Sequence, residues 1–175
     1  MPETAVSVVR ADPDDGRAPL GNLLREYHEW MERMATHAGH SYDADASVRG
    51  DLEDFDRGTA SAWLAVRGND HAGCALCYDV AADVAELKRL YVRPAHRSHG
   101  VGRALTETLV DAAIEHGHET VALTTPPWSE RAHALYDALG FERTEPYPET
   151  RLPERYHDGA IFMQLSPTEG GRLRD

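Results

Sequence analysis

The stretch RPAHRSHGVGRAL, residues 93–105, determines how the rest of the chain is interpreted. It lies between a strand-like segment, 84–92, and an amphipathic segment that runs to about residue 116. The glycines at positions 100 and 102 allow a tight turn and let a ligand approach the main chain closely. A helix N-terminus offers unpaired N–H groups and a positive dipole end. The pattern therefore predicts a strand, a glycine turn and a helix whose start is suited to a diphosphate, with Arg97 adding a permanent charge.

The sequence lacks the other common phosphate-binding patterns. A Walker loop needs GxxxxGK[ST], which does not occur, and a dinucleotide fingerprint needs GxGxxG soon after the first strand. By itself, a GxG at a helix start is more often a tight turn than a phosphate site. At this point a nucleotide-binding domain of a different fold is still open.

Hydrophobic periodicity on either side of the turn predicts a mixed α/β fold. Strand patterns occupy 5–11, 60–68, 72–80, 84–92, 119–125, FERTEPY (141–147) and GAIFMQL (159–165). Helical patterns occupy 20–34, 47–57, 100–116 and 129–139, the last with Ser129 at its N-cap. Three consecutive strands joined by short turns predict an antiparallel meander. We expect one domain over residues 1–167 and a flexible tail over 168–175.

The charge balance limits the range of partners. Acidic residues number 30 against 18 Lys plus Arg, so an anionic nucleic acid is not expected as a partner. Lys88 is the single lysine. Acidic excess with depletion of lysine favours a halophilic cytoplasm, and a GC-rich genome that favours arginine codons is the alternative. No secretory leader or membrane-length apolar run is visible, so a cytoplasmic protein is expected.

Cysteine and histidine do not form a recognisable metal pattern. Cys74 and Cys77 form a CxxC inside a strand-like segment, where positions three apart face opposite sides. We expect two core thiols and no metal, because no second cysteine pair occurs and the histidines are scattered.

Two motifs resemble those of the GCN5-related N-acetyltransferase (GNAT) family. The family's [Q/R]xxGx[G/A] motif matches 97–102, Arg-Ser-His-Gly-Val-Gly. Its A-x-x-x-Y-x-x-x-G-F pattern matches Ala132, Tyr136, Gly140 and Phe141. The two motifs occur in the family's order and spacing, and the resemblance covers roughly residues 60 to 165.

The resemblance implies a fold and a co-substrate. The fold is a mixed, mostly antiparallel sheet of about seven strands with about four helices, splayed between strands four and five. The co-substrate is acetyl-CoA, with no metal. The resemblance implies cofactor contacts at Leu90, Tyr91, Val92, Arg97, Ser98, His99, Gly100, Val101, Gly102, Arg103 and Ser129. A main-chain amide near residues 90–92 would polarise the thioester carbonyl.

Two side chains are the expected catalytic groups. Tyr136 would protonate the departing thiolate, and its alternative is a tyrosine that packs on the sheet. Glu86 would remove the proton of the acceptor ammonium, directly or through water. Its alternatives are an edge-facing ion pair with Lys88 or Arg89, or proton loss to bulk solvent. Strict alternation along the strand would place Glu86, Lys88 and Leu90 on one face.

The acceptor side is less defined. Ser129 stands where relatives commonly have asparagine, and its hydroxyl has the competing duty of capping a helix. Trp128, Tyr27 and Trp30 are expected to line the acceptor pocket, with core or loop packing as the alternative. Tyr42 is a further candidate for the same pocket, again with core packing as the alternative. Arginines at 143, 151 and 155 lie in or near a loop that overhangs the substrate in such folds.

The sequence thus predicts an acetyl-CoA-dependent N-acetyltransferase. Transfer would go to a primary amine, of a small molecule rather than a peptide, by direct attack through a tetrahedral intermediate. The alternatives are a peptide or protein amine as acceptor, or a non-catalytic acyl-CoA sensor. A homodimer is common among similar proteins, and no membrane association is expected.

Overall fold

The structure, a computed structural model, describes residues 5–167. The strands in that range are β1 (Val6–Arg10), β2 (Ala60–Arg67), β3 (Asp70–Asp79), β4 (Val84–Val92), β5 (Thr120–Thr125), β6 (Glu142–Thr144) and β7 (Ile161–Leu165). The α-helices are α1 (Arg17–His37), α2 (Ala44–Asp56), α3 (Val101–Glu115) and α4 (Glu130–Ala138), with short 3-10 helices at Pro94–His96 and Glu154–Gly159. The predicted mixed α/β class is confirmed.

The strands form one sheet in the order β1-β2-β3-β4-β5-β7-β6. β4 and β5 are parallel, because the chain crosses over through α3 between them, and β1–β2, β5–β7 and β6–β7 are antiparallel. The register of β4 with β5 runs from Val84 opposite Thr120 to Leu87 opposite Leu123. Pairing therefore stops at the point of β4 where the expected splay would begin.

The chain packs as two compact units that alternate along the sequence. The first comprises Met1–Leu76 with Arg89–Leu105, and the second Cys77–Lys88 with Thr106–Asp175. One boundary falls inside β4 and another inside α3. A single domain over residues 1–167 stays a prediction, and the expected tail, 168–175, lies outside the described residues.

In the first unit, α1 supplies much of the core. Leu20, Leu23 and Leu24 are fully buried, as the helical spacing predicts. The helix begins three residues earlier than predicted, because Pro19 is tolerated in a first turn whose N–H groups need no helical acceptor.

The second helix also begins earlier than predicted. α2 starts at Ala44, not near residue 47, because the Asp43 carboxylate accepts a hydrogen bond from Ala46 N at 2.8 Å. Such an N-cap typically contributes about 1 kcal/mol. Residues 44–46, expected in a loop, are thereby helical.

In the second unit, β5 and β7 contribute buried side chains to the core. Val121, Leu123, Phe162 and Met163 are buried. β6 covers three residues and not the seven predicted for FERTEPY. Pro146 accounts for the early end, because proline cannot donate to a strand ladder.

The two cysteines are core residues, as predicted. Cys74 and Cys77 are buried free thiols in β3. Burial raises the pKa of Cys77 to about 12 and raises that of Cys74 as well, so neither is a thiolate at neutral pH. Within residues 5–167, no group of three His, Cys, Asp or Glu is arranged to hold a metal ion, and no helix is long and apolar enough to cross a membrane.

Candidate functional site

The glycine turn between β4 and α3 has a backbone suited to an anion. Ser98 and Gly100 both have φ in the left-handed region, at 64° and 75°. The Gly100 carbonyl accepts a helical bond from Ala104 N at 2.9 Å, so the amide-rich start of α3 lies at the turn. A Cβ on Gly100 would meet no atom within 4 Å. The space beside the turn is open, and residues 97–103 fit the diphosphate predicted for them.

Arg97 braces this turn. Its Nε donates to the Val92 carbonyl at 3.0 Å, and its own carbonyl lies 2.8 Å from Nδ1 of His99. The guanidinium is thereby fixed beside the end of β4. Val101 is buried, so this residue could meet a ligand only through its main chain.

The end of β4, Leu90–Val92, is anchored to α1. The buried Tyr91 hydroxyl donates to Glu26 at 3.2 Å, and Arg93 pairs with the same carboxylate at 2.7 Å. A Cβ on Gly73 of β3 would lie 2.4 Å from the Tyr91 carbonyl oxygen. Glycine at position 73 therefore allows β3 to approach the strand that is expected to hold the cofactor arm.

Strict alternation along β4 does not hold. Arg89 has φ of 57°, a left-handed conformation that costs a non-glycine residue about 1–2 kcal/mol. The irregularity lies between Lys88 and Leu90. The common face predicted for Glu86, Lys88 and Leu90 is therefore interrupted at that point. Lys88 still reaches Glu86, with Nζ 3.2 Å from Oε1.

Glu86 in the second unit is 0% exposed and not edge-facing. Its carboxylate accepts hydrogen bonds from the Tyr147 hydroxyl at 2.7 Å, from Lys88 at 3.2 Å and from the Arg151 main-chain N–H at 3.2 Å. The expected pairing with Lys88 is present, whereas Arg89 pairs with Asp51. Both carboxylate oxygens are thus already hydrogen-bonded.

The loop before β7 supplies two of these donors. Burial, followed by the charge of Glu86 and its hydrogen bond, raises the pKa of Tyr147. The Arg151 guanidinium lies 4.2 Å from the centroid of the Tyr78 ring, a cation–π contact. Arg151 was expected only as a charge in a loop, and Tyr147 was not predicted. The proximity of Tyr147 to Glu86 depends on the conformation of this loop, which no local sequence pattern encodes.

Tyr136 is buried in α4. Its ring centroid lies 5.6 Å from that of Phe141, and its carbonyl accepts from Phe141 N at 3.0 Å. Ser129 occupies the N-cap position, but its side chain makes no capping hydrogen bond. The capping duty expected to compete for the Ser129 hydroxyl is therefore not observed.

Trp128 lies just before α4 and is half-buried. Its Nε1 is buried, and no hydrogen-bond acceptor for it is found among residues 5–167. A buried indole N–H normally has a partner, so a bound ligand or water would satisfy it.

Tyr27 and Trp30 belong to an aromatic group on α1. The Tyr27 ring lies 6.2 Å from Trp30, 4.9 Å from His28 and 6.3 Å from Tyr91. Burial raises the pKa of Tyr27 to about 12, with the Arg89 charge opposing it. Both residues are half-buried, so they combine the packing expected of a core with some accessible surface.

A buried polar cluster in the first unit was not predicted. His28, which is 0% exposed, lies 2.5 Å from the Tyr42 hydroxyl through Nδ1 and 2.6 Å from Asp51 through Nε2. Arg89 donates to both Asp51 oxygens, at 2.7 and 3.1 Å. One signal was available: His28 follows Leu20 and Leu24 at helical spacing, so it lies on the buried face of α1.

The predicted residues divide between the two units. The cofactor residues expected at 90–92 and 97–103, together with Tyr27 and Trp30, belong to the first unit. Glu86, Trp128, Ser129 and Tyr136 belong to the second.

Solved structures share this fold. The PaiA N-acetyltransferase of Thermoplasma acidophilum in complex with coenzyme A superposes with a TM-score of 0.68 at 15% identity, covering 93% of this chain and 99% of that one. At such identity the likeness concerns the fold alone.

Sequence relatives include two named acetyltransferases. N-alpha-acetyltransferase 40 of Saccharomyces cerevisiae is 34% identical over 51% of this chain, and the chain spans about a third (35%) of that protein's length. The IAA acetyltransferase of Azospirillum brasilense is 28% identical over 74% of this chain and 84% of the relative. The model of the acetyltransferase (GNAT) family matches residues 23–141, which include both motifs. The chain therefore belongs to the GNAT family of acetyltransferases.

Proposed function

We propose that this protein transfers an acetyl group from acetyl-CoA to a primary amine of a small molecule. The observation that carries the proposal is the open glycine turn at the start of α3, with left-handed backbone at Ser98 and Gly100, in a chain of the GNAT family. Because the chain belongs to this family, the alternative of a nucleotide-binding domain with another fold is excluded.

The first unit would bind the co-substrate. Main-chain amides of residues 97–103 would hold the diphosphate, and Leu90–Val92 would pair with the pantetheine arm as an added strand. Acetyl-CoA supplies the activated thioester. A main-chain amide near Tyr91 would donate to the thioester carbonyl and stabilise the negative charge that develops on it.

Proton transfer needs a donor and an acceptor. Tyr136 would donate to the departing sulfur, since a phenol of pKa about 10 matches a thiolate in basicity. An alkylammonium is about 99.9% protonated at pH 7 and cannot attack until it loses a proton. Glu86 is the acceptor that the family resemblance implies. Its hydrogen bonds with Tyr147, Lys88 and Arg151 would have to rearrange first, or a water molecule would have to bridge to it.

The acceptor class rests on the aromatic residues. Tyr27 and Trp30 in the first unit, and Trp128 in the second, would each offer apolar surface to an acceptor. The named relatives do not decide between acceptors: one is called an N-alpha-acetyltransferase and the other an IAA acetyltransferase. A peptide amine is the second candidate acceptor, and an acyl-CoA sensor is the alternative function.

Thiol release from acetyl-CoA across a panel of amines at high KCl tests the proposal. The panel contains tyramine, tryptamine, spermidine, lysine and a tetrapeptide with a free N-terminus. Wild-type turnover is expected with at least one small amine. Tyr136→Phe should lower kcat about 10- to 10³-fold while the affinity for CoA stays nearly the same, because the aromatic ring remains and only the proton-donating hydroxyl is lost.

Two results would count against parts of this proposal. Equal rates in the two proteins would remove the acid role of Tyr136. CoA binding without turnover on any amine would favour the sensor.

A further inference from the structure

A chain of hydrogen bonds in the first unit joins Tyr42, His28 and Asp51, and none of the roles assigned above uses it. The Tyr42 hydroxyl lies 2.5 Å from Nδ1 of His28, and Nε2 lies 2.6 Å from Oδ2 of Asp51. Arg89 holds both oxygens of Asp51. Three separate segments, α1, the loop before α2 and α2 itself, supply the three members.

The ionisation of Asp51 fixes the direction of the hydrogen bonds. Burial raises the pKa of Asp51, but the charge of Arg89 and the hydrogen bonds from His28 and Arg89 outweigh it and lower the pKa to about 2. An ionised carboxylate can only accept, so Nε2 of His28 carries the hydrogen. Burial also lowers the pKa of His28, and the neutral imidazole then has its lone pair on Nδ1. Tyr42 must therefore donate its O–H to Nδ1.

The chain runs from partly open surface into the interior. Tyr42 is half-buried, whereas His28 has no exposed surface and Asp51 is 5% exposed. Within the same unit, Arg89 immediately precedes Leu90–Val92, the segment proposed to hold the cofactor arm. Tyr27 contacts both His28 and Tyr91 through its ring. The imidazole of the chain is thus connected through the Tyr27 ring, and Asp51 through Arg89, to the strand proposed to hold the cofactor arm.

The cluster concentrates unfavourable features that structural packing alone does not require. A buried carboxylate and guanidinium lose their hydration, a buried histidine is held neutral, and Arg89 adopts a left-handed backbone. Strained backbone and perturbed titratable groups occur together at functional sites more often than elsewhere.

We propose that Tyr42 takes the proton of the acceptor ammonium in place of Glu86, whose two carboxylate oxygens are already hydrogen-bonded. His28 and Asp51 are the positioning residues that enable Tyr42 to do so. This inference rests on the proposed function. As the ammonium N–H bond breaks, an O–H bond forms at Tyr42. The original Tyr42 proton moves to Nδ1 of His28, and the freed lone pair of the amine attacks the thioester. Asp51 stays ionised and stabilises the imidazolium through Nε2–H. After product release the proton returns through Tyr42 to water.

The relay predicts a specific pH dependence. The titratable and charged groups that face His28 come from its own helix, the following loop, α2 and β4: Tyr27, Tyr42, Asp51 and Arg89. Of these, Asp51 stays ionised and Tyr27 stays protonated near neutrality, because the pKa of Asp51 is about 2 and that of Tyr27 about 12. Without the relay, only amine already deprotonated in solution reacts. That fraction rises about tenfold per pH unit up to a pKa near 10.

The test compares Tyr42→Phe and His28→Gln with wild type. Phenylalanine keeps the ring that stacks on His28, and glutamine keeps an N–H for Asp51 but offers no basic nitrogen to Tyr42. His37→Gln, an exposed histidine in the last turn of the same helix, is the matched control. With the amine that wild type acetylates best, kcat is measured from pH 6.5 to 9.5 at saturating acetyl-CoA.

At pH 7 we expect kcat of Tyr42→Phe to fall about 10²-fold. The difference should shrink about tenfold per pH unit as the amine deprotonates in solution, and the KM for acetyl-CoA should stay constant. His28→Gln should behave alike, and His37→Gln should match wild type. Should His28→Gln fail to fold, Tyr42→Phe alone decides the question.

Three results would overturn the relay. The first is a pH profile of kcat in Tyr42→Phe that matches wild type, and the second is a decrease in kcat that is equal at every pH. Either result would mean that the cluster only stabilises the fold, while the proposed acetyl transfer would stand. Wild type that binds acetyl-CoA but acetylates no amine of the panel would instead remove the proposed function, and the relay with it.

Discussion

The buried carboxylates Asp51 and Glu86 have similar neighbours and different connections. Each is paired with a cation, Arg89 or Lys88, and each is linked to a tyrosine hydroxyl. Tyr147 donates directly to Glu86, whereas Tyr42 reaches Asp51 through His28. Burial, together with the charge of Glu86 and its hydrogen bond, raises the pKa of Tyr147, so this hydroxyl retains its proton. An imidazole between tyrosine and carboxylate provides a neutral base instead, and a static hydrogen bond becomes a path for a proton.

The largest effect is expected when the Asp51 cluster loses its carboxylate. Asp51→Ala leaves the Arg89 guanidinium and His28 Nε2 without their acceptor, and we expect the free energy of unfolding to fall by about 3–5 kcal/mol. Urea unfolding followed by circular dichroism measures it. The control is Asp56→Ala, which breaks an ion pair with Arg17 on the surface and should change little. Similar losses of unfolding free energy in the two variants would show that the buried cluster stabilises the fold no more than a surface ion pair does.

A smaller effect is expected from the tyrosine of the other cluster. Tyr147→Phe removes one donor from the buried Glu86 carboxylate and should cost about 1–3 kcal/mol of unfolding free energy. Its pH profile of kcat should keep the wild-type shape, because this hydroxyl stays protonated throughout. If kcat of Tyr147→Phe instead rose with pH as steeply as is expected for Tyr42→Phe, the proton would leave through Glu86 and not through the Asp51 cluster.

The smallest effect concerns stability against acid. Because burial lowers the pKa of His28, the unfolded chain takes up a proton below about pH 6.5 and the folded chain does not. Stability should therefore fall as the pH decreases from about 6.5 to the folded pKa, by at most about 1.4 kcal/mol per pH unit. Asp51 contributes a further loss only as the pH falls from about 4 through about 2, since its pKa is lowered.

Melting temperatures of wild type and His28→Gln between pH 5 and 7.5 measure this effect. The loss should be present in wild type and absent in the variant. An equal acid response in both proteins would contradict a neutral buried His28.

Local patterns predicted the frame of the molecule and the parts of the site built from consecutive residues. The turn at Gly100 and the motif around Tyr136 lie within single strand–helix junctions, so spacing alone locates them. The start of a helix was predicted wrongly where a single capping residue determines it, as Asp43 does for α2.

The Asp51 cluster could not be predicted in the same way. His28, Tyr42 and Asp51 lie on different segments, and only the packed fold brings their polar atoms within hydrogen-bond distance. The left-handed backbone of Arg89 was equally invisible, since no glycine marks it in the sequence. Tertiary pairing and backbone strain are set by the assembled fold rather than by neighbouring residues.

The isolation of Lys88 has a consequence for a protein proposed to handle acetyl-CoA. Thioesters acetylate exposed lysines slowly without any enzyme, and this chain has one lysine in 175 residues. Its side chain is 9% exposed and is held against Glu86. Acetyl-CoA at the proposed site would therefore meet no accessible lysine of this chain, which would protect the protein against adventitious self-modification at that residue type.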